Sequence, residues 1–409
     1  MKILLIVEPL RKDLYAYLKD TPGVEWELLW HEGAEQMSEV DWESLPIRFG
    51  AVHYWKKFST PADLLRRVKP DRIVLFEIID LRQIALITYA NYKGVSTYFL
   101  EHGAAGSRET AIVRWGEITF RKQKLPYLVK RFFGRFGDVV KSKWFYYGAR
   151  PRFSTRAAAR KYRMLPVRML KEAPNKVLAE NMFAERIPKR CIVFNEANYE
   201  EFALYTGVKK EQCYFTGVPF FDEYYSVSRS DKGHIVYIDQ PFYEENLVGW
   251  TQPHHERIAK ALIAFAARHK VKLYIKLHPR SSRAAWEAYN FDPDHVEIIQ
   301  HGDFHQLYMD ARLLLGYSSS LINGLLCAQK NMVILGWHPV PHVFGADFSA
   351  TGLCHLSLDP ADLETKYEYW VTNNLAIQNK EAYQDFLMRF NYPFDGKATE
   401  RVIQALIQP

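Results

Sequence analysis

The stretch "VKLYIKLHPRSSR", residues 271–283, decides how this chain is built. Seven residues rich in β-formers run straight into His278, which is followed by Pro279, Arg280, two serines and Arg283. A strand that only builds core needs no such ending. Proline holds the residue before it in extended geometry, so His278 is presented at the strand's end and the strand stops there. Arg280, Ser281, Ser282 and Arg283 can all hold phosphate oxygens. The plainer alternative is a satisfied strand-end histidine before an ordinary turn.

Working outward, the second half repeats short buried strands: "HIVYI" at 234–238, "VEII" at 296–299, "LLLG" at 313–316 and "MVIL" at 332–335. Helical patterns at about 255–269, 303–311 and 319–329 separate them, the rhythm of βαβ units. "LLLGYSSSLINGLL" (313–326) is the second chemical stretch. One serine is a helix N-cap and nothing more. Ser318, Ser319 and Ser320 behind Gly316 make a hydroxyl-lined helix start, whose free N–H groups favour an anion. Ligands in open α/β sheets sit beyond the carboxyl ends of strands, so His278 and the serines are expected to converge on one phosphate.

The first half has the same rhythm, with strands near 2–7, 24–29, 72–78, 95–100, 190–194 and 213–216 and helices at 60–69 and 81–92. "YFLEHGAAGS" (98–107) again ends a strand in chemistry: Glu101, His102 and a glycine turn. A carboxylate beside an imidazole can supply a general base near neutral pH. A tight turn that needs Gly103 and Gly106 is the competing account. Weaker candidates are Gln240 in "DQPF" (239–242) and Trp337, His338 and His342 in "GWHPVPHVFG" (336–345), as pocket walls. His254 and His255 in "PHHER" read as first-turn residues rather than metal ligands, and Asp80 with Arg82 as a helix start. There is no GxGxxG, P-loop or HExxH.

At 409 residues, with 48% hydrophobic and 25% charged residues, two globular domains are expected. "TGVPFFDEYYSVSRSDKG" (216–233) reads as the linker, giving domains of 1–225 and 226–409. Four cysteines without CxxC spacing suit reduced core residues of a cytosolic protein. "MKILLIVEPL" reads as a first buried strand, and no apolar run is long enough to span a membrane. Net charge is +7, yet residues 121–176 alone hold 17 Lys or Arg against Asp138 and Glu172, so the rest is net negative. This insertion interleaves cations with aromatics. Lys130, Arg131, Arg135, Lys141 and Lys143 are expected to meet an anionic membrane surface or an anionic glycan; no RNA-binding signature accompanies them.

Two Rossmann-like halves, a His-Pro after one strand and serines after another resemble GT-B glycosyltransferases, and within them the bacterial sialyltransferases and polysialyltransferases that use CMP-sugars. The resemblance implies an α/β GT-B fold, two Rossmann-like domains facing a central cleft. It implies an acceptor-binding N-terminal domain and a donor-binding C-terminal domain whose last helix packs back on the first. Carried over by residue, His278 and Pro279 match the HP motif and Ser318, Ser319 and Ser320 the serine motif, both holding the CMP phosphate, with Arg280 beside them. Glu101, His102 and Gly103 stand where an acidic pair plus glycine is expected. One carboxylate stands in place of two, which leaves the base open between Glu101 and His102.

CDP-glycerol polymerases share the "TGVPFFD" segment (216–222) and the His-Pro and Ser-Ser features, and Kdo transferases are related. The resemblance therefore implies transfer of a sialic-acid-type or Kdo-type sugar from its CMP ester to a bacterial surface glycan, capsule or lipopolysaccharide. A polyol-phosphate transferase and a UDP-GlcNAc 2-epimerase are the alternatives. No cofactor or metal is expected, because imidazole, hydroxyls and helix N–H groups suffice for the charge on one departing phosphate. Expected partners are the CMP-sugar and a glycan or lipid-linked acceptor, with no nucleic acid. The expected location is cytoplasmic, peripheral at the inner face of the membrane.

Overall fold

The computed structural model describes every residue except 10, 12–13, 31–33, 104–135, 170–171, 173, 246, 318, 340–347, 376–378 and 409. Two parallel sheets organise it. The first contains β1 (Lys2–Ile6), β2 (Glu25–Trp30), β3 (Phe49–Tyr54), β4 (Arg72–Leu75), β5 (Ser96–Leu100), β6 (Arg190–Val193) and β7 (Cys213–Phe215). The second contains β8 (Ile235–Ile238), β9 (Leu273–Lys276), β10 (Val296–Ile299), β11 (Leu313–Gly316), β12 (Met332–Leu335) and β13 (His355–Ser357). Their orders are β3-β2-β1-β4-β5-β6-β7 and β10-β9-β8-β11-β12-β13, the same doubly wound pattern twice. Each sheet reverses direction beside its first strand, between β1 and β4 and between β8 and β11.

The central strands are apolar end to end because helices cover both faces. Leu4, Leu5, Ile73, Val74 and Leu75 are fully buried in the first sheet, as are Ile235, Val236, Leu313, Leu314 and Leu315 in the second. The strands absent from the sequence reading, β3 and β13, lie at sheet edges, where apolar periodicity is weak.

Packing divides the described residues into two units. One runs from the N-terminus to Phe220 and resumes at Lys397; the other is Phe221–Gly396. The helix Ala398–Ile407 buries Val402 and Leu406 in the first unit. There Arg401 Nε donates to the Thr216 carbonyl at 2.8 Å, and Arg72 donates to the Gln408 carbonyl at 2.8 Å.

The described part of the basic insertion lies between β5 and β6 as helices Phe136–Gly148, Arg156–Arg168 and Pro174–Glu180. It belongs to the first unit's core. Tyr146 and Tyr162 stack at 4.1 Å, and each hydroxyl donates to the other's carbonyl at 2.8 Å. Phe145 and Tyr146 are buried in that core. Of the four consecutive rings 144–147, Trp144 is the most exposed, at 71%, and Tyr147 is exposed too.

Candidate active site

In the first unit, β4 and β5 run parallel with Arg72 opposite Ser96 and Leu75 opposite Phe99. Continuing that register two residues sets Glu77 level with Glu101. The carboxyl of Glu101 is buried, and its Oε1 accepts the backbone N–H of His102 at 2.9 Å. His102 stands between the two acids, its Nδ1 3.7 Å from Glu101 Oε1 and its Nε2 4.0 Å from Glu77 Oε1. Gly103 is tied down by Asn198, whose Nδ2 donates to its carbonyl at 2.8 Å. Asn198 rides on the helix Glu196–Thr206, which also brings Glu201 toward Glu101.

Burial pushes the Glu101 carboxyl up to about 8, and the charge of Glu201 adds to it; the N–H groups of His102 and Gly103 and the Asn198 side chain pull the other way. Glu101 is thus largely protonated at neutral pH and charged just above it. Glu77 and Glu201 were missed in the sequence. For Glu77 a signal existed, since "RIVLFE" and "STYFLE" both end a buried strand in glutamate.

On the same edge of this sheet, beyond β3 and at the start of the helix Leu81–Lys93, lies a cavity of about 400 Å³. Lys56, Lys57, Arg82 and Lys141 line it with the exposed Trp144. Its one carboxylate, Asp63, is engaged by Arg66 at 2.6 Å and Arg67 at 3.5 Å. Asp80 caps that helix, accepting the N–H of Arg82 at 2.7 Å while Gln83 closes a capping box. Lys143 is half-buried on the Phe136–Gly148 helix and does not line the cavity. Lys130, Arg131 and Arg135 lie outside the described residues.

In the second unit, β9 and β11 flank β8, so the ends bearing His278 and the serines are two strand spacings apart, about 10 Å. His278 Nδ1 accepts the backbone N–H of Arg280 at 3.1 Å, so a neutral ring carries its proton on Nε2. The turn is held by Gln300, whose Nε2 donates to the carbonyls of His278 at 3.2 Å and Ser281 at 2.9 Å. Beneath it lies Asp239 at the end of β8, buried, with Tyr237 donating to it at 3.4 Å. Burial and the nearby charge of Glu244 push the Asp239 carboxyl up to about 7, against the Ser281 hydroxyl and the N–H groups of Gln240 and His278.

Ser319 caps the helix Ser320–Cys327, accepting the Leu321 N–H at 3.3 Å, and Ser320 is exposed at its first position. Ser318 lies outside the described residues. The helix is drawn tight at Gly324, where a Cβ would meet Phe221 at 2.7 Å.

Several candidates take other roles. Ser282 caps the short helix Arg283–Glu287, and Arg283 pairs with Glu287 at 2.6 Å, so neither is left for phosphate. Arg280 is exposed and pairs with Glu245, from which an anion has to draw it. The Trp337 side chain is buried in the core, with Nε1 donating to Ser357 Oγ at 3.0 Å. His338 is half-buried, with its ring 4.8 Å from that of Tyr317. Gln240 is half-buried at the end of β8, between the two donor stretches. His342 is outside the described residues.

A family model described as alpha-2,8-polysialyltransferase matches residues 35–292, more than half of the chain. The chain belongs to the alpha-2,8-polysialyltransferase family. It is therefore a CMP-sugar-dependent glycosyltransferase of surface-polysaccharide biosynthesis. Within this polysialyltransferase the match takes in Glu101–Gly103 and His278–Pro279, while the serines at 318–320 lie beyond it.

The polysialyltransferase fold is GT-B-like, and solved structures with the same architecture span nearly the whole chain. The UDP-GlcNAc 2-epimerase of Neisseria meningitidis, bound to UDP-GlcNAc, is 11% identical with a TM-score of 0.51, covering 100% of both chains. The UDP-GlcNAc 2-epimerase of Methanocaldococcus jannaschii is 12% identical with a TM-score of 0.50, over 100% of this chain and 99% of that one. The wall teichoic acid polymerase TagF is 11% identical with a TM-score of 0.50, over 98% of this chain and 87% of that one. At such identities the likeness is one of fold alone. A search of curated proteins gives no match. No helix among the described residues is long and apolar enough to cross a membrane.

Proposed function

We propose that this protein extends an α-2,8-linked chain of sialic acid, taking each unit from CMP-sialic acid. The family match across residues 35–292 carries this reading. The donor is held at the ends of β8, β9 and β11, with its phosphate between His278 and the start of the Ser320–Cys327 helix. The acceptor's terminal hydroxyl is held at the ends of β4 and β5. Glu101 takes the hydroxyl proton, the oxygen bonds to the sugar's anomeric carbon, and the bond from that carbon to the phosphate oxygen breaks. CMP leaves with the electron pair.

A carboxylate raised toward the working pH removes such a proton far better than one near 4.5. That is the reason for choosing Glu101 over His102, which we assign to orienting it. At the other end, His278 Nε2–H, the Ser319 and Ser320 groups and the helix N–H groups stabilise the charge gathering on the phosphate.

The cavity with Lys56, Lys57, Arg82, Lys141 and Trp144 suits the acceptor chain, whose every residue bears a carboxylate and an apolar sugar face. An anionic acceptor explains the local excess of cations without invoking a lipid contact. A place at the inner face of the membrane follows from where capsule acceptors are made.

The test is nucleotide release from CMP-sialic acid, CDP-glycerol and UDP-GlcNAc, each with and without a short sialic acid oligomer. Release of CMP with lengthening of the oligomer supports the reading. Consumption of CDP-glycerol, or conversion of UDP-GlcNAc without acceptor, replaces it with one of the alternatives.

A further inference from the structure

The second unit has another cavity, of about 420 Å³, at the opposite edge of its sheet from His278, where β12 and β13 begin. Its size is that of a small-molecule site. Every charged side chain lining it is a cation: Arg229, Lys330 and Lys380, with His355 beside them. None of the three pairs with a carboxylate among the described residues. Arg229 reaches only the Gln329 amide, at 3.5 Å. Lys330 is buried, and its ammonium donates to the carbonyls of Met309 and Ala311, both at 2.8 Å, which leaves one N–H. Asp231 and Asp310 act on Lys330 only through space. Such a buried cation without a bonded counter-charge is costly unless an anion completes it.

Two further features point to the same ligand. The helix Lys380–Phe390, capped by Asn379, turns its positive end to the cavity. Leu326, Met332, Leu353 and Leu375 supply an apolar wall. We propose that this cavity binds a phosphomonoester with an apolar ring body, of the size of a nucleoside monophosphate. Three cations match a dianion better than a single carboxylate, and the wall takes the body. The proposal does not depend on the reaction assigned above, since none of the residues assigned there to donor or acceptor lines this cavity. One structural link exists: the helix that starts at the donor serines ends beside this cavity, at Leu326.

The experiment is calorimetric titration of the full chain with CMP. Two sites are expected in the wild type. In Arg229→Gln/Lys380→Gln, both substitutions at exposed positions, one of them weakens on the order of tenfold or more, as loss of charged hydrogen bonds implies. That site survives in His278→Ala. Inorganic phosphate competes for it and free N-acetylneuraminic acid does not. A single site that His278→Ala abolishes overturns the proposal. So does a second site that the double variant leaves intact, and displacement by N-acetylneuraminic acid as readily as by phosphate overturns the ligand class. Transfer with saturating donor stays at the wild-type rate in the double variant. Failure here therefore leaves the transferase reading standing, and absence of CMP at the donor site leaves this site standing.

Discussion

Two strand ends in this protein each bury a carboxyl, and the function proposed above gives them opposite work. At the end of β5 a buried carboxyl, Glu101, precedes a histidine and a glycine. At the end of β8 a buried carboxyl, Asp239, sits under the histidine and proline that end β9. Burial raises both acids, to about 8 and about 7. Their company differs. Glu101 has Glu77 and Glu201 near it, an acidic centre that makes giving up a proton hard and taking one easy. Asp239 too has one acid near it, Glu244, and hydroxyl and backbone N–H groups around it, as Glu101 has those of His102 and Gly103. What differs is the half-buried Lys276 beside it and the histidine turn above it. A neighbouring cation, more than residue type, separates the strand end we assign to the phosphate from the one we assign to the hydroxyl.

Neutralising the first acid is expected to have the largest effect. Glu101→Gln should lower transfer by roughly 100- to 10,000-fold, the range for a lost general base. Wild-type transfer should rise with pH toward a plateau above about 8, in line with the raised carboxyl. His102→Asn should cost less; a steeper loss there, with Glu101→Gln active, would move the base to the imidazole. Next in size is His278→Ala, expected to lose on the order of 100-fold in turnover. A folded variant at wild-type speed would remove the histidine from the phosphate.

A smaller effect is expected at the basic cavity. Lys141→Gln with Trp144→Ala should raise the KM for long sialic acid acceptors about tenfold while sparing a short one, since each contact is worth roughly 1 kcal/mol. Equal effects on both lengths would disconnect the cavity from the chain. Stability gives the subtlest readout. Both raised acids hold their protons more tightly folded than unfolded. The stability they contribute is full below about 4 and is lost as pH rises toward 8. Asp239→Asn should flatten the fall in melting temperature between those values, and an unchanged slope would show that Asp239 does not titrate as described.

The strand ends of the second sheet were legible in sequence because their signals are local. Proline after histidine and serine before a helix act within a few residues, and the parallel strands announce themselves as apolar runs. Glu77 was not legible, because its meaning depends on the register of β4 against β5, which no local pattern states. The "DQPF" turn gave no sign that Asp239 is buried beneath the neighbouring strand's histidine. Strand β3, half-buried at a sheet edge with Gly50 and His53 within it, lacks a clean alternation. In the basic insertion, composition suggested surface throughout. The Tyr146–Tyr162 stack shows that helical spacing hides apolar faces behind cations.

We assign the β5 end to the acceptor and the β9 end to the donor. The most direct test is the dissociation constant of CMP, measured on Glu101→Gln and compared with that of the wild type. The account predicts values within about twofold of each other in a variant that has lost transfer, because uniform binding of the leaving group is untouched. Loss of CMP affinity in step with transfer would place Glu101 at the donor and contradict the division of labour.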